Sequence, residues 1–311
     1  MTKPIIGITV GDPSGVGPEI SVKTLKNPEV LSSCLPVLYG DEYVLRRVLS
    51  IVRSDMPLAV IEDPIEAREG RINLLSSGVV EGSYEFAKVQ GKCGQAAFAY
   101  IKHAIEDALA KKIDAVVTGP IHKEALHEGG VNYSGHTEIF ADLTGTKNYA
   151  MLLTGGGIRV IHVSTHVSLR EACDRAKKER ILAVIRLADD AAKGLGVPVP
   201  RIAVAGLNPH SGENGLFGDE EMKEISPAIE AARREGMDIT GPVPPDTVFV
   251  KALKGDFDIV VAMYHDQGHI PLKLTDFMGG VNITVGLPII RTSVDHGTAY
   301  GKAGKGTADE A

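Results

Sequence analysis

Short apolar runs at residues 4–10, 36–39, 58–61, 113–118, 149–153, 158–163, 201–205, 257–263 and 281–285 constrain this chain most. Most of them lack the alternation of a half-exposed strand, which is the pattern of strands covered on both faces. Helical stripes separate them. Phe98, Ile101, Ile105 and Ala108 recur on one side of a helix predicted over 94–112. Ser168-Leu-Arg-Glu171 has the form of a capping box, opening a helix that Ile181, Val184, Ile185 and Ala188 continue until Gly194. Met222, Ile225, Ile229 and Ala232 mark a third helix ending at Gly236, with a kink or break expected at Pro227. Strands alternating with helices indicate an α/β protein with a largely parallel or mixed sheet in each domain. A chain of 311 residues is long enough for two domains, and the loop residues around Gly129-Gly130 suggest the first crossing between them.

Composition removes several classes of function. The net charge is −7 and the pI about 5.8, so a nucleic-acid backbone would be repelled unless a local basic patch existed, and none is visible. Aromatic content of 5% gives no base-stacking platform. No apolar run approaches a membrane span, and the N-terminus enters a strand pattern without the apolar core of a signal peptide. Cys34, Cys93 and Cys173 are odd in number and widely spaced, which suits reduced thiols. A cytoplasmic protein is the expectation.

His166, His210 and His265 each sit a few residues past a predicted buried strand. Open α/β sheets bind ligands at the carboxyl ends of their strands, so the three imidazoles can converge there. Three imidazoles and an open position describe a divalent ion that polarises a substrate. Local zinc patterns, His-Glu-x-x-His and Cys-x-x-Cys, are absent. A single histidine in such a place is more often a hydrogen-bonded core or surface residue; three in the same relation weaken that reading.

Other motifs flank the runs. Gly11-Asp-Pro-Ser-Gly-Val-Gly-Pro-Glu19 leads from the first strand into a helix begun by Pro18, with neither a Walker lysine nor a Gly-x-Gly-x-x-Gly fingerprint. Thr118-Gly-Pro-Ile-His-Lys123 follows a strand, and Gly135-His136-Thr137-Glu138 opens a helix, where His136 and Thr137 can donate to substrate oxygens. Lys273, Asn282 and Arg291 lie beside runs that ought to be buried and so need partners, an anion in the case of the two cations. Asp246 is expected to cap a helix at its N-terminus, with a site role as the second reading. Ser293-Val-Asp-His296-Gly297-Thr298-Ala299 has the small, polar character of a nucleotide-contacting loop.

Taken together, these motifs resemble the 4-hydroxythreonine-4-phosphate dehydrogenase family, related in fold to isocitrate and isopropylmalate dehydrogenases. The resemblance runs from Gly11–Glu19 through Thr118-Gly-Pro, Gly135-His-Thr-Glu138, Asn208-Pro-His-Ser-Gly-Glu213, Pro245-Asp-Thr247, Met263-Tyr-His-Asp-Gln-Gly268 and Asn282-Ile-Thr to Asp295-His-Gly-Thr-Ala299. Gly215-Leu-Phe-Gly-Asp-Glu-Glu221 and Gly268-His-Ile-Pro-Leu-Lys273 look more like the sister branch that oxidises D-threonate or D-erythronate 4-phosphate.

The resemblance implies two α/β/α domains with an interdomain cleft: residues 1–130 with 285–311 on the cofactor side, and 131–284 for metal, substrate and dimerisation. It places His166, His210 and His265 on metal ligands, and His136, Thr137, Lys273, Asn282 and Arg291 on substrate contacts. His296, Gly297, Thr298 and Ala299, with Asp246, fall to the cofactor, NAD or NADP. It further implies a homodimer whose metal site takes histidines from both subunits, with zinc favoured by all-imidazole ligation and magnesium, manganese and cobalt as alternatives. Family members usually continue past the position of Ala311 into a final helix, so a longer native chain is an expectation.

The implied reaction is oxidation at C3 of a 4-phosphorylated hydroxy acid, D-threonate or D-erythronate 4-phosphate, followed by decarboxylation to dihydroxyacetone phosphate. The alternative is oxidation of 4-hydroxythreonine 4-phosphate on the way to pyridoxal phosphate. A metal-dependent hydrolase is a third reading, because three histidines can equally activate water. Lys273 and Asp266 are both candidates for the general base.

Overall fold

The computed structural model describes residues 3–277 and 279–310. The chain forms two compact units, Met1–Thr146 with Leu287–Ala311, and Lys147–Gly286. In the first, β1 (Ile5–Thr9) leads through the glycine-rich loop into α1 (Gly17–Thr24), followed by α2 (Pro28–Ser33), β2 (Leu35–Gly40), α3 (Glu42–Ile51), β3 (Leu58–Val60) and β4 (Ile72–Ser76). Then come α4 (Gly91–Leu109), β5 (Ala115–Thr118), α5 (Lys123–Glu128) and α6 (His136–Leu143). The predicted stripe holds, with Ile101, Ile105 and Ala108 buried on α4, although the helix begins at Gly91, three residues before the predicted start. Gly94 is needed where α4 crosses α5, since a Cβ there would stand 1.9 Å from the Ala125 carbonyl oxygen. Gly129 and Gly130 close α5, and the chain stays in the first unit until Thr146.

The second unit comprises β6 (Ala150–Gly155), β7 (Ile158–His162), α7 (Leu169–Arg175), α8 (Lys178–Gly194), β8 (Arg201–Ala205), α9 (Ser226–Arg234), β9 (Asp238–Val243), α10 (Pro245–Leu253), β10 (Ile259–Ala262), α11 (His265–Thr275) and β11 (Val281–Val285). Strands β7, β10, β8 and β9 pair in parallel, and β6 pairs antiparallel with both β7 and β11. Its core explains why these runs do not alternate in polarity. Ile161, Ile202, Val204, Ile259 and Val261 pack with α8 and α9, while Val160, Ala203, Val260 and Ala262 pack with Val248, Phe249 and Leu272 of α10 and α11. Both faces of the sheet are therefore apolar, giving three layers. After this unit the chain adds β12 (Ile290–Ser293) beside β5, and the first sheet reads β3-β4-β2-β1-β5-β12, all parallel.

Three expectations differ in detail. The helix from Ser168 is broken at Ala176, because Glu224 accepts the Lys178 backbone N–H at 2.9 Å and pairs with Lys177 at 3.1 Å, giving α8 a new start. Ser168 does accept the Glu171 N–H, as a capping residue should. Pro227 neither kinks nor ends the third helix; it sits in the first turn of α9, where no donor is required, directly after a π-turn over Glu221–Ile225. Asp246 does not cap α10 but lies inside its first turn, with Pro244 at the cap position. Among the described residues no helix is long and apolar enough to cross a membrane.

Candidate active site

In the second unit, histidines gather where β7 and β10 end. His265 opens α11, and its Nδ1 stands 2.7 Å from Asp266 Oδ1. A carboxylate on Nδ1 holds the hydrogen there and leaves the Nε2 lone pair for a ligand, the arrangement usual behind metal-bound imidazoles. One turn on, His269 stacks on His265 with centroids 3.6 Å apart and planes 11° apart, and its Nδ1 meets the His265 carbonyl at 3.0 Å. His162, at the end of β7, lies 4.7 Å from His269 and contacts the Met151 carbonyl through Nδ1 at 3.2 Å. Burial, then the His269 charge, pushes its pKa down to about 3, so it is neutral. Gly268 lets the helix seat against it, since a Cβ would come within 2.4 Å of His162 Nε2.

His166, on the loop after β7, brings its ring centroid 5.5 Å from that of His265. Two imidazoles bound at tetrahedral angles to one ion at about 2.0–2.1 Å have centroids roughly 5 Å apart, a separation close to that of this pair. Among the described residues, no group of three His, Cys, Asp or Glu side chains within the chain is placed to hold a metal ion.

His210 lies apart, on a turn after β8, with its ring 6.4 Å from that of Phe217. Its Nδ1 is 2.7 Å from Glu213 Oε1, repeating the carboxylate-backed imidazole of His265, and Glu213 raises its pKa. The imidazole is 60% exposed. The backbone here is unusual. His210, Ser211, Gly212, Glu213 and Asn214 all have left-handed φ, at 51°, 56°, 78°, 42° and 56°. Each non-glycine residue in that region costs about 1–2 kcal/mol. Glu221, 3% exposed, braces the turn: Oε1 accepts the Leu207 and Asn208 N–H groups at 2.7 Å each, and Oε2 accepts Asn208 Nδ2 at 2.9 Å. Asp246, on the first turn of α10, also favours the charged form of His210.

Two further candidates belong to this unit. Lys273 is on α11, about 12 Å beyond His265 along the axis at the usual helical rise, with Nζ 5.8 Å above the Phe277 ring. Asn282 is buried on β11, and its Oδ1 has no hydrogen-bond partner, an acceptor suited to a substrate hydroxyl.

In the first unit, His136, Thr118 and Arg291 cluster at the carboxyl end of β5. Arg291 is 2% exposed and donates through Nη2 to Thr118 Oγ1 at 2.7 Å. Burial lowers its pKa to about 10, against an opposing pull from Glu138. His136 is held well below its ordinary value by burial and by the Arg291 charge, and its buried Nε2 has no hydrogen-bond partner. A buried guanidinium beside a neutral imidazole favours an incoming anion, which relieves the desolvated cation. Thr137 follows His136 on α6, half-buried.

The segment His296 to Ala299 is fastened to the glycine-rich loop. Thr298 accepts the Val16 N–H at 3.0 Å, and a Cβ on Gly15 would press on Thr298 at 3.0 Å. Tyr300 donates to Asp12 Oδ2 at 3.0 Å while stacking on His122, and buried Glu19 accepts the Gly304 and Gly306 N–H groups at 2.5 and 2.8 Å. His296 and Gly297 remain exposed. A cavity of about 310 Å³ beside Tyr43, Arg46 and Glu81 contains none of the predicted residues. Asp41 at its edge is committed to Ser77, Val79, Val80 and Tyr100.

Sequence reasoning assigned no role to His162, His269, Glu213, Glu221, Asp12 or Tyr300. Glu213 carried a signal, three residues after a candidate ligand, as Asp266 is one residue after another.

A profile of the family described as "Pyridoxal phosphate biosynthetic protein PdxA" matches residues 32–311. D-threonate 4-phosphate dehydrogenase of Cupriavidus necator is 48% identical over 99% of this chain and 93% of its own. The enzyme of the same name from Pectobacterium atrosepticum is 48% identical over 98% of this chain and 94% of its own. A crystal structure of 4-hydroxythreonine-4-phosphate dehydrogenase from Klebsiella pneumoniae superimposes with a TM-score of 0.92 at 46% identity, covering 99% of this chain and 95% of that one. On the profile match and these near full-length identities, the chain belongs to the PdxA family.

Proposed function

We propose that the chain is a divalent-metal-dependent, NAD-linked dehydrogenase that oxidises C3 of D-threonate or D-erythronate 4-phosphate, with decarboxylation to dihydroxyacetone phosphate. The observation that carries this reading is the matched presentation of His265 and His210, each with a carboxylate 2.7 Å from Nδ1. His166 and His265 of one subunit would hold the ion together with the partner subunit's His210. The spacing of the first pair and the outward placement of His210 support a homodimeric site. Zinc suits three imidazoles best. The ion, when bound, supplies Lewis acidity that lowers the C3 hydroxyl pKa and stabilises the charge left on decarboxylation.

The chain's own groups do the rest. His136, Thr137 and Arg291 take an anionic end of the substrate, Lys273 supplies a point charge or accepts the C3 proton, and Asn282 Oδ1 accepts a substrate hydroxyl. The Asp266 carboxylate is engaged with His265, which favours an orienting role for it and leaves Lys273 as the base. The loop His296 to Ala299 receives the nicotinamide cofactor, with Asp246 as an outlying contact. In the reaction, hydride leaves C3 for the cofactor while the hydroxyl proton goes to the base. The bond from C1 to C2 then breaks, and its electron pair is protonated at C2.

The D-threonate reading rests on the names of the relatives at 48% identity and on the segment Gly215–Glu221. The specific rival, 4-hydroxythreonine 4-phosphate, rests on the name of the Klebsiella pneumoniae structure. A panel of the three phosphorylated acids, each with NAD and NADP and followed by nicotinamide absorbance, separates them. A kcat/KM at least tenfold higher for 4-hydroxythreonine 4-phosphate would reverse the assignment, and no absorbance change with any of them would remove the dehydrogenase reading.

A further inference from the structure

The left-handed turn carrying His210 is held by a carboxylate that lies outside the turn. Glu221 sits on the π-turn before α9, eleven residues beyond His210 in the sequence. Both its oxygens are used. Oε1 receives two consecutive backbone N–H groups, Leu207 and Asn208, and Oε2 receives the Asn208 amide, which also donates to Glu220 Oε2 at 2.7 Å. The turn packs back onto the same group, because a Cβ at Gly212 would stand 2.8 Å from Glu221 Oε2. A run of five left-handed residues is not a conformation that Ser, Glu and Asn choose unaided. Backbone held in a sparsely populated region marks a place where the surroundings over-determine it, and such places are commonly functional. The result of this constraint is that Glu213 stands over His210, one left-handed turn on, with its carboxylate on Nδ1.

We propose that Glu221 is a positioning residue for the metal, acting through the turn it braces to hold His210 in the geometry of a ligand. This rests on the reading of His210 as a metal ligand. Ser211 provides an independent handle on the same device. Its φ is 56° and its buried hydroxyl has no hydrogen-bond partner, so glycine there relieves strain and removes an unsatisfied group while loosening the turn.

The test uses the intact dimer titrated with Zn²⁺ calorimetrically and with Co²⁺ by visible absorption, alongside thermal unfolding. Glu221→Gln places an amide donor against Asn208 Nδ2, and it should weaken Zn²⁺ binding 10- to 100-fold and alter the Co²⁺ spectrum. Ser211→Gly should also weaken Zn²⁺, by several-fold, while its thermal midpoint stays level or rises. That opposition of signs is not expected of a purely structural brace, and it remains readable if Glu221→Gln does not fold. His210→Ala is the reference. If it abolishes tight binding while Glu221→Gln and Ser211→Gly bind Zn²⁺ within twofold of the parent, the positioning role is overturned and the ligand assignment stands. If His210→Ala itself binds Zn²⁺ like the parent, the ligand assignment fails and the positioning role with it.

Discussion

The segment that carries His265 and the segment that carries His210 end in the same contact, a carboxylate oxygen 2.7 Å from Nδ1, yet reach it through very different backbones. His265 stands in the first turn of a regular helix, with His269 stacked beneath it and buried His162 beneath that. Its orientation follows from packing inside the unit. His210 stands on a left-handed turn at the surface, and its orientation follows from a buried carboxylate outside that turn. Ordinary helical geometry suffices where a ligand can be packed from behind. Where an imidazole projects from the surface, as the role proposed for His210 requires, strain and an electrostatic anchor replace packing.

The largest effect expected is from removing either imidazole. On the proposed reading of both as metal ligands, His265→Ala and His210→Ala should each lower turnover by about a thousandfold or more, because either loss would release the ion that supplies Lewis acidity. Metal content of the purified protein, measured beside kcat, checks this. Equal losses would show that the two arms serve one ion, and a His210→Ala enzyme with full metal content would separate them.

Next in size are the orienting carboxylates. Asp266→Asn and Glu213→Gln should each weaken zinc binding 10- to 100-fold, the usual cost of altering the partner of a metal-bound imidazole. The Asp266 change should be the milder, because stacking by His269 still fixes the ring of His265. The comparison breaks if Glu213→Gln proves the milder of the two.

Much of this contrast was legible in the sequence, and the part that was not has a physical cause. The strands under the site stood out because Val, Ile and Ala fill both of their faces. Strand β12 was missed because its most buried residue is an arginine, Arg291, and β9 because Gly241 and Pro242 interrupt an edge strand where a proline is tolerated. The three candidate ligands were visible as histidines just past strand ends. Asp266 and Glu213 could be connected to them because the contacts are local, one and three residues away. Glu221 could not, since its role depends on a π-turn returning to residues thirteen and fourteen positions earlier. Nor does the text His-Ser-Gly-Glu-Asn announce a left-handed turn, for only its glycine prefers that conformation.

Gly268→Ala and Gly212→Ala set the two arms against each other through a single methyl group. At Gly268 the methyl would meet His162 Nε2 at 2.4 Å and Val160 Cγ2 at 2.7 Å, both parts of a packed interior. Overpacking of that kind costs about 1–3 kcal/mol, so the thermal midpoint should fall. At Gly212, φ is 78° and the contact is the Glu221 carboxylate at 2.8 Å, so zinc affinity should fall more than the midpoint does. The converse pattern would mean that the His210 turn is part of the stability core.

Acid should produce the smallest and most graded difference, and it acts on the packed arm. The pKa of His162 is near 3 in the folded chain because burial and the neighbouring His269 disfavour its charged form, whereas an unfolded histidine titrates near 6.5. The folded state therefore binds fewer protons than the unfolded state between those values. The contribution of this group to stability is complete above about pH 6.5 and is lost as pH falls towards 3, at up to about 1.4 kcal/mol per pH unit. Denaturant unfolding of the protein at fixed concentration between pH 7 and pH 4 should show this slope, and His162→Gln should flatten it even if it lowers stability overall. An unchanged slope in His162→Gln would assign the acid sensitivity elsewhere, first to His136, whose buried imidazole shares the same sign.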